Sequence, residues 1–412
     1  MISFRSGILV ACLSATACMD TAPDVIIMGE LEALVPPLGE GSVWPGLSTS
    51  GGRVVLSWQE RDADNVWSVK TAILDEDGWT PAYTVAHTTK DSEFFINWAD
   101  FAGVELLQED MLVAHWLVRG PERGYDYGVR ISRSTDAGQT WTEAWTPHTD
   151  GTRTEHGFVS KFSMDDGKVG MVWLDGRDAV DRDGASGITG AVALRYRSFD
   201  RDGVPTPEVL IDDRVCDCCQ TDAATAASGP VVVYRDRSPD EVRDIYVTRL
   251  VDGQWTEGAP VHQDGWVIPA CPVNGPAVAA RGNDVAVAWF TGADDELKAQ
   301  VAFSNDGGVH FGEPIRVDEG RPLGRVDVLW LENGSALVMW MERRTRTGEI
   351  LVRQVMPDGG LGEVSLVTAT SAGRDSGFPR MIQDSEGRVV FAWTGTGQAR
   401  RVRVARTSEA VR

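Results

Sequence analysis

The sequence predicts an all-β fold: a β-propeller of four-stranded antiparallel blades, with seven repeat units. Three observations carry this expectation. A short β-rich run ending in an aromatic residue recurs seven times, 51 to 61 residues apart, a period that suits a propeller blade better than a short solenoid repeat. Gly-bearing turns separate each run from the strand before it, as tight hairpins require. The 44 Gly, 19 Pro and 15 Trp of the chain suit many turns and large flat side chains, and exclude a helical bundle.

The runs are Val54–Trp58, Leu112–Trp116, Val169–Trp173, Val231–Tyr234, Val285–Trp289, Ala336–Trp340 and Val389–Trp393. A strand precedes each, as in Trp44–Ser48, Phe158–Phe162 and Val326–Trp330, across turns such as Ser50-Gly51-Gly52 and Glu332-Asn333-Gly334. A third strand follows, as in Tyr127–Ser132, Ala191–Arg197, Ile245–Leu250 and Val301–Ser304, and then an Asp/Gly turn and a short fourth strand. These units make residues 42–410 the propeller. The last unit stops after three strands, so Val25–Met28, in the 19–41 segment, is expected to supply its fourth and close the ring. Closure removes the open sheet edges that invite aggregation.

The 412 residues are 42% apolar and 24% charged, an ordinary balance for a folded chain. Sixty-one acids against thirty-nine bases leave a net charge of −22, which excludes nucleic acid as a partner because phosphate contacts need clustered Lys and Arg. Residues 1–18 read as an export signal, with Arg5, the apolar run Gly7–Val10 and small residues to Ala17. Ala15-Thr16-Ala17-Cys18 resembles a bacterial lipobox, so Cys18 is expected to be acylated. The expected location is the cell envelope, with the membrane contacted through the lipid alone; cleavage after Ala17, giving a free secreted monomer, is the alternative. No P-loop, H-E-x-x-H or G-x-S-x-G motif is present.

Ser134-Thr135-Asp136-Ala137-Gly138-Gln139-Thr140-Trp141 has the form S-x-D-x-G-x-T-W, and Ser304–Phe311 repeats it with Phe replacing Trp. Asp77-Gly78-Trp79-Thr80 and Asp252-Gly253-Gln254-Trp255 look like eroded copies. These segments resemble the Asp-box of the sialidase superfamily, where the box braces an outer hairpin far from the axis. The resemblance implies an arginine triad, an Asp acid and a Tyr nucleophile assisted by Glu, on a six-bladed ring that stands as the alternative to seven. The first-blade [F/Y]-R-I-P motif of that family is matched by Ser42-Val43-Trp44-Pro45, with Val43 where Arg belongs. Glu60-Arg61 looks like the family's E-x-R region. Comparable charges at Asp175-Gly176-Arg177 and Arg235-Asp236-Arg237 read as solvated ion pairs.

Four cysteines lie beyond the leader. Val215-Cys216-Asp217-Cys218-Cys219-Gln220-Thr221-Asp222 opens the inner strand of unit four, and Ala270-Cys271-Pro272-Val273-Asn274-Gly275-Pro276 opens that of unit five. Equivalent places in neighbouring blades share one face, so the four thiols are expected to approach one another. Three readings are open: two disulfides, for example Cys216 or Cys218 with Cys271; a site for a soft or borderline ion, Cu(I) or Zn(II); or a redox thiol pair. His156 is the best non-thiol ligand candidate and His262 a weaker one. The same strand starts place Trp44, Asn97, Trp98, Asp100, Asp222, Asn274, Arg325, Asp327 and Arg380 around an axial funnel. The sequence therefore favours binding: a small molecule, glycan or soft ion held at a four-cysteine funnel. The alternative is an exo-acting glycosidase in which Asp100, Arg325 and Asp327 act at the bond and the cysteines are braces.

Overall fold

A computed structural model describes residues 29–107, 110–122, 124–179, 190–397 and 400–412. Cys18 and the leader, and Val25–Met28, lie outside the described residues. Seven antiparallel sheets follow one another in chain order, each continuous from an inner to an outer strand. The ring is a seven-bladed propeller, so the six-bladed alternative falls. The inner strands are Ser42–Ser50, Gly103–Leu107, His156–Ser163, Asp222–Ala226, Ala277–Arg281, Pro322–Trp330 and Arg380–Gln383. The face on which they begin is called the upper face below.

The aromatic-terminated runs form the second strand of every blade, from Arg53–Arg61 to Val389–Thr394. Blade two has three laddered strands, and its outer edge is completed by a single bridge between Ile131 and Trp145. The ring closes as expected in kind but on different residues. Leu31–Leu34 pairs antiparallel with Val402–Thr407 as the outer strand of blade seven. The Val25–Met28 assignment is therefore corrected to Leu31–Leu34, a stretch with no β-branched residue, whose place in the sheet comes from its pairing with blade seven and not from its own propensity.

Trp58, Trp173, Trp289 and Trp340 are fully buried between blades, and truncating such a residue costs about 3–5 kcal/mol. Each indole N–H donates to a carboxylate: Trp58 to Glu60 at 2.9 Å, Trp173 to Asp175 at 2.8 Å, Trp340 to Glu342 at 3.0 Å, and Trp289 to Asp264 at 2.7 Å. The strand-end charges are thus not solvated pairs. Glu60 and Asp175 are buried, because a large indole between two sheets brings one polar atom inside and needs an acceptor there; Arg235 is buried as the donor to three backbone carbonyls.

Every junction between neighbouring blades carries one polar side chain reaching across. Ser57 accepts the Val104 N–H, Asp100 that of Phe158, Asp222 that of Val278, Asn274 that of Arg325, Asp327 that of Met381, and Thr394 that of Trp44. The seventh junction is a Ser160–Thr221 hydroxyl pair at 2.7 Å. Trp44, Phe158 and Arg325 have φ of 52°, 52° and 53°, each at a bulge in its inner strand. A side chain there costs on the order of 1 kcal/mol. The conformation holds because the bulge turns that residue's N–H out of its own ladder and toward the preceding blade, where the three acceptors wait.

Both S-x-D-x-G segments sit on outer hairpins. The Ser134 hydroxyl accepts the Gly138 N–H at 2.9 Å, Asp136 accepts the Thr140 N–H at 2.9 Å, and Gly138 has φ of +88°. Ser304, Asp306 and Gly308 repeat the arrangement. Bonds from the Thr140 hydroxyl and N–H hold Asp136 down at about 2.

Candidate functional site

The four thiols meet on the upper face. Cys216 Sγ lies 3.4 Å from Cys219 Sγ and 3.7 Å from Cys218 Sγ. Cys216, Cys218 and Cys219 form one group, and Asp217, Cys218 and Cys271 a second, with ligand atoms within 4.8 Å of one another in each. All four cysteines are free; Cys216 and Cys219 are buried, Cys218 half-buried and Cys271 exposed.

Local backbone chemistry makes this meeting possible. The Cys216 N–H donates to the Arg235 carbonyl at 2.9 Å, seating the first segment on the end of blade four's second strand. The second segment crosses close by at Gly275, where an added Cβ would fall 2.0 Å from the Gln220 carbonyl oxygen. Arg235, buried to 2% exposure, ties the parts together. Its guanidinium donates to the carbonyls of Asn274, Phe290 and Arg243, and lies 5.0 Å from the Trp266 ring centre. Arg243 in turn donates to Cys216 Sγ at 3.2 Å and lies 3.5 Å from an Asp217 oxygen.

Hydrogen bonds with Cys218 and Cys219, helped by the Arg235 charge, hold the Cys216 thiol well below its ordinary value. The same bonds push Cys218 up, and burial pushes Cys219 up. The Cys216 sulfur thus faces two neighbouring thiols and the Arg243 guanidinium. Arg235, Arg243, Asp217 and Glu155 were not foreseen as site residues. Glu155 interacts electrostatically with Asp217 and Cys271, and burial and those neighbours raise it to about 8. The adjacency of Arg235 to the Tyr234 run was visible in the sequence; no spacing signal pointed to Arg243.

His156 does not join the sulfurs. It stacks on His148 with ring centres 3.8 Å apart and faces Asp150 at 3.1 Å. His148, Asp150 and His156 form a third compact group. Arg177 already lies 3.2 Å from Asp150 and 2.7 Å from Asp175, so a cation occupies the place an ion would take. His148 Nε2 is engaged as acceptor of the Val129 N–H. His262 lies 4.0 Å from Asp264 and also stands outside the thiol groups.

Among the described residues no cysteine lines the axial cavity, which has a volume of about 710 Å³ and is walled by Asp100, Asp222, Asp327, Arg380, Lys161 and His115 among others. The sulfurs are on the expected face but beside the axis, not in a funnel. Segments from distant blades pack across the axis above the cavity. Trp98 stacks on Phe378 at 5.9 Å, Arg325 lies 5.2 Å from the Trp98 ring centre, and Gln220 donates to the Ala99 carbonyl. Arg325 also bonds the Ser376 hydroxyl and the Gly377 and Gly373 carbonyls; burial lowers it to about 10. Trp44 stacks on Trp67 at 6.0 Å, and Asn97 accepts the Ala99 N–H; neither lines the cavity. Deeper in the wall, Lys161 donates to Glu105 at 2.9 Å and to His115 Nδ1 at 2.6 Å. Burial and that ammonium keep His115 neutral.

Burial pushes the Asp100 carboxyl from 3.8 up to about 7, against the opposing bonds from the Phe158 N–H and the Tyr127 hydroxyl. The folded chain therefore holds a proton here that the unfolded chain releases, and stability is lost as pH rises from about 4 to 7. Asp100→Asn keeps an acceptor for Phe158 and removes the titration. Thermal melts of the variant are expected to show a flatter profile over that range, by on the order of 2–4 kcal/mol. An unchanged slope would place the titration elsewhere.

No family model and no curated protein matches the chain. Solved structures do. An ulvan lyase representing a new polysaccharide lyase family superposes with a TM-score of 0.55 at 11% identity, covering 93% of this chain and 95% of that one. The polysaccharide lyase Uly1 gives 0.51 at 12%, covering 88% of each. An α-L-arabinofuranosidase mutant from Fusarium graminearum gives 0.50 at 12%, covering 89% and 93%. At these identities the likeness is one of fold, a propeller that carbohydrate-acting enzymes share.

Proposed function

We propose that the protein binds a soft thiophilic ion, Cu(I) in preference to Zn(II), on the sulfurs of Cys216, Cys218 and Cys219, with Cys271 at the solvent edge. The observation that carries this reading is the triangle of sulfurs, two buried and one half-buried, at 3.4 and 3.7 Å beside Arg243 and Arg235. An ion with metal–sulfur bonds of about 2.3 Å sets its sulfurs roughly 3.7–4.0 Å apart, so the group needs to open by only a few tenths of an ångström. Three thiolates with Cu(I) carry two negative charges, which two guanidiniums balance; structural zinc asks for a fourth ligand. In this reading the chain is exported and held at the envelope through Cys18. Its role is binding, with the propeller as scaffold.

Elemental analysis of protein purified anaerobically without chelator tests it, together with mass spectrometry of the thiols. Bound copper or zinc with four alkylatable thiols is expected. Absence of metal with two intact disulfides would overturn it.

The second reading is an exo-acting glycosidase of sialidase type. Its support is the axial cavity, where Arg380 interacts with both Asp222 and Asp327. Against it, each of those carboxylates already accepts an inter-blade N–H, and the upper side is packed with Trp98 and Phe378. Turnover of a fluorogenic sialoside or arabinofuranoside, abolished by Asp327→Asn with metal content unchanged, would install this reading instead.

A further inference from the structure

The four sulfurs do not form one group. Cys216, Cys218 and Cys219 lie together on the inside, while Cys271 belongs with Cys218 and an Asp217 oxygen. A single tetrahedral ion would need Cys271 equally near all three other sulfurs. Cys218 is the one member common to both sets, and it is half-buried between the buried Cys216 and Cys219 and the exposed Cys271. A thiolate has lone pairs enough for two soft ions, and bridging thiolates are ordinary chemistry for such ions.

We propose that the rim holds a second thiophilic ion, ligated by Cys218, Cys271 and the Asp217 carboxylate, so that Cys218 bridges two ions; this rests on the thiolate reading above. The outer position faces solvent through Cys271, and the inner one lies behind it. An arriving ion meets the two-sulfur, one-carboxylate set first and passes inward by exchanging ligands around Cys218. Charge favours the arrangement. Cys271 Sγ lies 3.9 Å from an Asp217 oxygen, so an ionised thiol there faces a carboxylate, and Arg243, already engaged with Cys216 and Glu241, offsets this only in part. A cation between Asp217 and Cys271 relieves that repulsion.

The test is an anaerobic titration of the reduced, full chain with Cu(I) against a chromophoric Cu(I) chelator, wild type beside Cys271→Ser. Cys271 is exposed, so the variant is expected to keep the wild-type melting temperature. Wild type is expected to take two equivalents and the variant one, with a short metal–metal vector in X-ray absorption of wild type only. One equivalent in both, without that vector, overturns the second position and leaves the inner site standing. Two equivalents in both also overturns it, since the second ion then sits elsewhere. No uptake by either removes the thiolate reading itself.

Discussion

Cys216→Ser is expected to weaken the tight Cu(I) equivalent by about 1,000-fold or more. Loss of a residue that merely orients a ligand costs about 10–100-fold, whereas in the proposed site Cys216 is itself a ligand, hydrogen-bonded to both neighbouring sulfurs and to Arg243. A hydroxyl at that position stays protonated and offers a hard oxygen to a soft ion. The fold is expected to survive, because serine is close in size and Arg243 can donate to its oxygen as it does to sulfur at 3.2 Å. Competition with a Cu(I) chelator reads the affinity, and a melt run alongside checks folding. If Cys216→Ser binds as wild type does while Cys271→Ser loses all binding, the inner triangle is not the site.

Arg235→Met is expected to destabilise the protein by about 3–5 kcal/mol, the largest stability effect of any substitution at the thiol cluster. Methionine fills much of the volume but leaves the carbonyls of Asn274, Phe290 and Arg243 without the donor that satisfies them. Each buried carbonyl so orphaned costs about 1–3 kcal/mol. The second consequence is electrostatic. With Arg235 gone, Cys216 loses one of the charges that keep it ionised, so its titration moves up. Denaturant melts measure the first effect, and the pH dependence of thiolate absorbance or alkylation rate measures the second. Wild-type stability together with an unshifted thiol titration would show that Arg235 neither holds the two cysteine segments together nor tunes the sulfur.

The propeller was legible because its causes are local and repeated. Alternating apolar runs, an aromatic at the end of the second strand and Gly at the hairpins each follow from one blade's own needs, and seven copies make the signal unambiguous. The shared face of the cysteines was legible for the same reason: equivalent positions in a repeat share a face. The charged end at Asp175 reads as a solvated pair in the sequence, because Trp173-Leu174-Asp175 looks like a frayed end until the indole is seen to be buried. Trp58-Gln59-Glu60 and Trp340-Met341-Glu342 carry the same pattern, which is therefore a sequence signal for a buried acceptor.

The carboxylates pose a subtler problem. Asp100, Asp222 and Asp327 do line the cavity, as their positions before or within the inner strands imply. Their partners, though, are backbone N–H groups of the next blade, and a backbone group leaves no mark in a sequence.

By itself the chain determined how many units it has, where each aromatic goes inward and that four thiols share a face, since periodicity and side-chain type are properties of neighbours along the polypeptide. Only the closed ring decided that Leu31–Leu34 completes blade seven, that His156 pairs with Asp150, and that Cys271 reaches Cys218 and not the whole cluster. Those outcomes depend on how separate segments pack against one another, to within an ångström or two, and such distances arise only when every blade is in place.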